Sequence, residues 1–239
     1  MKLNNLYLLD EKEIDRFVDE VLHTESCKTL GFLNQHGYNL MLKSSRVSEA
    51  FADLDFLLRD GKGLELACRY WGLNPGANLN GTDFIPYLLE RCIASKLNCN
   101  FFVYGTCSPW LEKGAKSLLK GENAILLDGF LDEIEYVKDY SSKYSKLNLN
   151  IVLLAMGMPK QEKVASLIKE VATAPTLIIC GGAIIDFQAE RFNRSPLFLR
   201  KIGMEWLYRL IIEPKRMFKR YVLGIPIFFF NVFNNQPGN

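Results

Sequence analysis

Apolar residues in the first 190 positions fall into two alternating kinds of segment. Short continuous runs occupy residues 29–33 (TLGFL), 55–58 (DFLL), 101–105 (FFVYG), 124–127 (AILL), 151–155 (IVLLA) and 177–180 (LIIC). None alternates with polar residues, so each suits a strand buried on both faces, as in a parallel sheet covered by helices. Between the runs, apolar residues recur at helical spacing. Ile14, Phe17, Val18, Val21 and Leu22 set the pattern, and further helices are predicted over 63–70, 82–96, 109–120, 132–144 and 159–171. Thr82 fits an N-cap, which places Pro86 in the first turn where proline is tolerated. Strand–helix alternation predicts an α/β, Rossmann-like sheet of about six mainly parallel strands with helices on both faces.

From Phe192 the pattern changes and strand signals stop. Ser195 fits an N-cap and Pro196 the first helical position. Leu199, Ile202, Trp206, Arg209 and Leu210 then share one helix side until Glu213-Pro214 breaks it. A second short helix is predicted over 215–223. The run 222–233 (VLGIPIFFFNVF) is too short to span a bilayer and contains Pro226, so it suits an interface instead. The expected organisation is an α/β catalytic domain over 1–190 and a basic helical appendage over 191–239.

Charge sharpens that division. Residues 191–221 hold nine basic and two acidic side chains, +7, in a chain whose net charge is +2. An acidic body with a basic end suggests an anionic partner there. The N-terminus lacks the apolar run and cleavage site of a signal peptide, so a cytoplasmic location is expected. Six scattered cysteines and two histidines show no zinc-site spacing. The cysteines read as reduced and mostly buried.

Ligands of open α/β sheets bind beyond the carboxyl ends of the strands. Asp60, after the second run, is the best-placed carboxylate for a general base, or else a plain helix cap. Gly157, Pro159, Lys160, Gln161 and Glu162 follow the fifth run, where a helix start offers free N–H groups to an anion. Gly181 and Gly182, with Asp186 one turn on, repeat the theme after the sixth run, and Gly105 after the third. Any one of these can be an ordinary tight turn; together they favour a nucleotide site. Asn34, Gln35 and His36 are polar groups at the first strand end, and Thr82 and Asp83 can cap a helix or bind sugar hydroxyls. No GxGxxG or GxxxxGK[ST] pattern occurs, so a dinucleotide fingerprint and a P-loop are both unsupported.

RDGKG (59–63), NGTDFIPYLLE (80–90), FFVYG (101–105), LLAMGMPKQE (153–162), ICGGAIIDF (179–187), RSP (194–196) and GMEWLYRLIIEPKRMFKRYVLG (203–224) resemble, in order and spacing, the WecG/TagA/CpsF glycosyltransferase family. The resemblance runs from about residue 30 to 229. It implies transfer of a sugar of the N-acetylmannosamine type, with inversion, from a UDP donor to an undecaprenyl-diphosphate-linked saccharide. That step would serve cell-surface polysaccharide synthesis. It implies no metal and no cofactor, Asp60 as base, and Gln161 and Glu162 at the donor site. Arg209 and Arg216 would reach the diphosphates. Lys219 and Arg220 stand where relatives can carry one arginine, so either can enter the site, and Arg220 is taken with Asn34, Thr82 and Asp83 as an acceptor-side candidate. Phe32 replaces a threonine common in the family.

The implied partners are a UDP-sugar, the lipid-linked acceptor and the inner face of the cell membrane, with homo-oligomerisation left open. Two other readings compete. A nucleic-acid-binding protein could use the basic end, although no RRM, KH or helix-turn-helix signature is present. Another Rossmann-like nucleotide-sugar enzyme would be expected to carry GxGxxG after its first strand.

Overall fold

The computed structural model describes residues 6–235, apart from the side chains of Lys201 and Arg216. Seven strands form one sheet: β1 (Leu6–Tyr7), β2 (Cys27–Leu33), β3 (Phe56–Arg59), β4 (Cys99–Gly105), β5 (Ala124–Leu127), β6 (Leu149–Ala155) and β7 (Thr176–Cys180). Their order is β1-β3-β2-β7-β6-β4-β5 and every neighbouring pair is parallel. The helices of the body are α1 (Ile14–Leu22), α2 (Gln35–Lys43), α3 (Ser45–Ala52), α4 (Gly61–Tyr70), α5 (Gly81–Ala94), α6 (Trp110–Leu118), α7 (Glu133–Lys143), α8 (Lys160–Val171) and α9 (Ile184–Gln188). After them come α10 (Leu197–Lys201), α11 (Glu205–Ile212), α12 (Pro214–Phe218), a π turn over Lys219–Leu223, and α13 (Gly224–Asn234).

The sheet divides two apolar cores. Along β6, Ile151 and Leu153 face one side, with Phe32, Phe84, Leu88 and Ile185. Val152 and Leu154 face the other, with Tyr38, Leu57, Val164 and Phe228. Alternate residues therefore enter different cores, which is why the strand sequences are apolar throughout.

The doubly wound architecture and the six strands read from the sequence are present. β1 adds a seventh, two residues long at the sheet edge, too short to leave a pattern. Helices α2 and α3 are a further addition between the first two apolar runs. Helix α5 begins one residue before Thr82. Its N-cap is Asn80, whose side chain accepts from the Asp83 N–H at 3.1 Å. Pro86 thus falls in the second turn. It has no N–H to give the Thr82 carbonyl four residues earlier.

The basic end also departs from expectation. Pro196, in extended backbone, precedes α10, and Ser195 does not cap it. The single helix expected up to Glu213 is two, because Gly203 takes φ +74° between them. Met204 N–H reaches the Leu199 carbonyl at 2.7 Å and Gly203 N–H reaches Arg200 at 3.0 Å, the pair of bonds that closes a helix on a left-handed glycine. Residues 224–234, which include Pro226, are helical. The preceding π turn shifts the hydrogen-bond register where proline cannot donate. At 11 residues α13 is too short to cross a bilayer, and among the described residues no helix is long and apolar enough to do so.

Helix α13 docks on α2. Phe228 is fully buried, with its ring edge-on to Tyr38 at 5.3 Å, and Val232 is buried beside it. Asn39 donates to the Gly224 carbonyl at 2.8 Å, and the Trp71 indole donates to that of Val232 at 3.3 Å. A second tie joins α8 to β7. Buried Gln161 accepts from Gly182 N–H at 2.9 Å and donates to Glu162 at 2.8 Å. Glu162 is fully buried, and burial pushes its carboxyl up to about 7.

Two outcomes are expected. Phe228→Ala should cost about 3–5 kcal/mol of stability, read from denaturant midpoints, since it empties a closed site in the core. For Glu162, the folded protein keeps a proton between pH 4.5 and about 7 that the unfolded chain releases. Stability should therefore fall as pH rises across that window, then level off, by a few kcal/mol at most. Glu162→Gln should flatten that slope in melts taken from pH 4.5 to 8; an unchanged slope would assign it to another group.

Candidate functional site

Parallel strands deliver all their carboxyl ends to one edge of the sheet, and a cleft of about 810 Å³ lies there. That volume is within the range of small-molecule sites.

Its centre is set by the β2–β3 pair. The ladder ends with the Asp60 N–H donating to the Leu33 carbonyl at 2.8 Å, so Asn34 and Asp60 leave adjacent strands side by side. Asn34 Oδ1 caps α2, accepting from the N–H groups of His36 and Gly37 at 3.1 Å each. Its amide nitrogen is then free to donate to Asp60 Oδ2 at 3.0 Å. Asp60 sits at the N-cap position of α4, yet its carboxylate makes no capping bond. The Gly61 N–H donates to Asn78 Oδ1 at 2.8 Å. The Asp60 carboxylate is thus held by one hydrogen bond and lines the cleft. Burial raises its pKa above the ordinary value; the Asn34 bond and the guanidinium groups of Arg220, Arg209 and Arg59 oppose the rise.

Helix α8 and the β7–α9 loop form the next wall. Gly157, Lys160, Gln161, Gly181 and Gly182 line the cleft, whereas Pro159 and Glu162 do not. Lys160 faces inward but its ammonium is committed. It donates to the Gly129 carbonyl at 2.9 Å, to that of Leu131, and to the Tyr136 hydroxyl at 3.3 Å. It therefore clamps the loop after β5, which brings exposed Phe130 to the rim. Gly105 is absent from the lining. A Cβ there would collide with the Ala155 carbonyl of the neighbouring strand, so strand packing accounts for this glycine.

Asp186 lines the far end within a small network. Thr106 donates to it at 2.7 Å, and Arg191 reaches Thr106 at 3.0 Å and Asp186 at 3.1 Å. Thr82 also lines the cleft. Asp83 does not, and instead pairs with Arg194 at 2.8 Å.

The basic end closes the cleft. Arg209 lines it with its guanidinium 5.2 Å from the Phe187 ring, and both Lys219 and Arg220 line it from the π turn. The Arg216 side chain lies outside the described residues. Thr106, Lys43 and Arg191 line the cleft but are not among the candidates the sequence offers. Arg191 was visible only as part of the charge count. Lys43 has no signal of its own, because the apolar pattern predicts no helix over 35–43.

Among the described residues the charged lining is then six cations, Lys43, Lys160, Arg191, Arg209, Lys219 and Arg220, against two carboxylates, Asp60 and Asp186. Such a surface suits an anion carrying several charges. Among the described residues no three His, Cys, Asp or Glu side chains gather as a metal-binding group.

Comparison with known proteins gives a concordant result. Residues 4–239 match the model of the glycosyl transferase WecG/TagA/CpsF family. A Bacillus subtilis (strain 168) protein named N-acetylglucosaminyldiphosphoundecaprenol N-acetyl-beta-D-mannosaminyltransferase is 27% identical over 199 residues, 82% of this chain and 75% of that protein. Its namesake from Bacillus spizizenii strain W23 is 25% identical over 188 residues, 77% of this chain and 70% of that protein. With a match that spans nearly its whole length, the chain belongs to the glycosyl transferase WecG/TagA/CpsF family.

Proposed function

We propose that this glycosyltransferase moves a sugar of the N-acetylmannosamine type from a UDP donor to an undecaprenyl-diphosphate-linked N-acetylglucosamine, with inversion, during cell-surface polysaccharide synthesis. The observation that carries the reading is the oriented Asp60 carboxylate inside a cationic cleft. The names of the two Bacillus relatives supply the sugar and the acceptor.

In the proposed mechanism the acceptor hydroxyl attacks the anomeric carbon as the C–O bond to the diphosphate breaks on the opposite face. Asp60 accepts the hydroxyl proton, and the UDP leaves with the bonding pair. Asn34 fixes the carboxylate's orientation through its 3.0 Å bond. The departing diphosphate gains negative charge, which preorganised cations stabilise most at that moment. Arg209 and Arg220 are the proposed source, and no metal is invoked.

The acceptor's lipid places the enzyme at a membrane surface. Phe198, Ile211 and Phe230 are exposed large apolar groups on α10, α11 and α13. Neighbouring Lys and Arg residues add roughly 1 kcal/mol each near anionic headgroups. We assign residues 191–239 to peripheral attachment, on the cytoplasmic face.

Three measurements test these assignments. Asp60→Asn and Asp60→Ala should each lower kcat roughly 10²–10⁴-fold; near-normal turnover in both would remove Asp60 as the base. The kcat/KM profile should lose activity on the acid side as Asp60 protonates, at a pH above the ordinary carboxylate value. Asn34→Ala removes a bond that favours the ionised form, so this acid limb should move to higher pH. Finally, the Phe198→Ser, Ile211→Ser, Phe230→Ser triple variant should bind anionic vesicles roughly tenfold or more weakly, with an unchanged circular dichroism spectrum. Equal co-sedimentation would refute the attachment surface.

A further inference from the structure

One arm of the cleft has chemistry that a nucleotide sugar does not need. In the strand order, the loops after β2 and β3 lie toward one end of the sheet and those after β4 and β5 at the other. Asp60 follows β3, and a base must stand beside the attacking hydroxyl. The acceptor therefore enters over β2 and β3, leaving the β4–β6 end to the donor. Helix α2 follows β2 directly. His36, Leu40 and Lys43 recur at i, i+4 and i+7, so they share one helix face, and all three line the cleft. Across from them stand Lys219, Arg220, Leu223 and Ile227 of the π turn and α13. The Asn39–Gly224 hydrogen bond fixes the two walls to each other.

The walls pair charge with apolar surface. Lys43 lies near enough to His36 that, after burial and Arg220, it contributes to pushing the imidazole down to about 4. His36 is thus neutral at physiological pH and leaves the positive charge to the lysines and Arg220. Among the described residues no carboxylate pairs with Lys43 or Lys219. A UDP-sugar would use the cations but has nothing to place against Leu40, Leu223 and Ile227. A prenyl diphosphate joins its anion directly to a branched hydrocarbon and would use both.

We infer that Lys43, with Lys219 across the groove, binds the diphosphate of the lipid-linked acceptor, and that Leu40, Leu223 and Ile227 hold its first isoprene unit. This rests on the acceptor reading given above. Lys43 then acts in acceptor binding from the body of the protein, 176 residues from Lys219 in the chain.

The test titrates the full-length protein with farnesyl diphosphate, inorganic diphosphate and UDP. Wild type should bind farnesyl diphosphate at least about tenfold more tightly than inorganic diphosphate, which burial of only part of one isoprene unit supplies. Lys43→Gln should weaken farnesyl diphosphate about tenfold, as loss of one charge-assisted bond does, and leave UDP within about twofold. Lys43→Arg should restore most of the loss. Ile227→Ser should erase the preference for the prenylated ligand. Equal weakening of UDP and farnesyl diphosphate by Lys43→Gln, or no wild-type preference for the prenyl group, overturns the groove. The titrations use no sugar donor. Wild-type protein that shows these binding differences but transfers no sugar would overturn the proposed transferase reaction and leave the groove standing.

Discussion

The site depends on a single rung, the bond from Asp60 N–H to the Leu33 carbonyl that ends the β2–β3 ladder. It fixes where two adjacent parallel strands stop, and so where Asn34 and Asp60 emerge. One residue of slippage would turn either side chain toward the opposite face. Arg59, buried immediately before Asp60, secures the same point from below. Its guanidinium donates to the carbonyls of Pro75, Gly61 and Gly76 at 2.7, 3.1 and 3.1 Å, holding the segment that leads to Asn78 and Asn80. Asn78 then takes the Gly61 N–H at the start of α4. The Asp60 carboxylate makes no capping bond of its own and lines the cleft.

The rest of the cleft answers a charge problem. A net acidic body and a basic end together enclose a cavity whose charged lining is mostly positive, with Arg191, Arg209, Lys219 and Arg220 supplied by the basic end. Cations packed together repel one another, and the fold relieves this by committing some of them. Lys160 is engaged by two carbonyls and a hydroxyl, and Arg191 by Asp186. The other lining cations stand on α2, α11 and the π turn. The same field lowers the cost of an ionised Asp60, which burial alone would push toward its neutral acid.

Sequence made the sheet legible because its strands are buried on both faces, leaving continuous apolar runs that little else produces. It made Asp60 legible because a strand end followed by glycines is where ligands approach. It failed at α2, and for a definable reason. Asn34, Gln35 and His36 read as loop chemistry, yet Asn34 performs two tasks at once, capping the helix with its oxygen and orienting Asp60 with its nitrogen. A reading that allots one role per residue loses the helix and, with it, Lys43. Lys160 shows the converse. Its position at a helix start suggested an anion ligand, but its partners come from a loop about thirty residues earlier, which no local pattern reveals. Pro226 misled for a similar reason. A proline argues against helix only where the register is regular, and the π turn before it is not.

The basic end, first set apart by composition, is tied into the body more closely than charge implied. Phe228 and Val232 complete the core beneath α2, and Asn39 and Trp71 hold the backbone of α13. Removing the end at Arg191 would therefore expose that core and confound any test of membrane binding by truncation. It also means that α13 cannot turn its whole apolar surface to lipid. Phe228 and Val232 are spent inside, which leaves Ile227, Phe230 and Phe233 on the outer side. Groove and outer surface then lie on one short helix. Under the proposed acceptor reading, a lipid-linked substrate would pass along it to Asp60, with Ile227 on the cleft wall and Phe230 facing solvent.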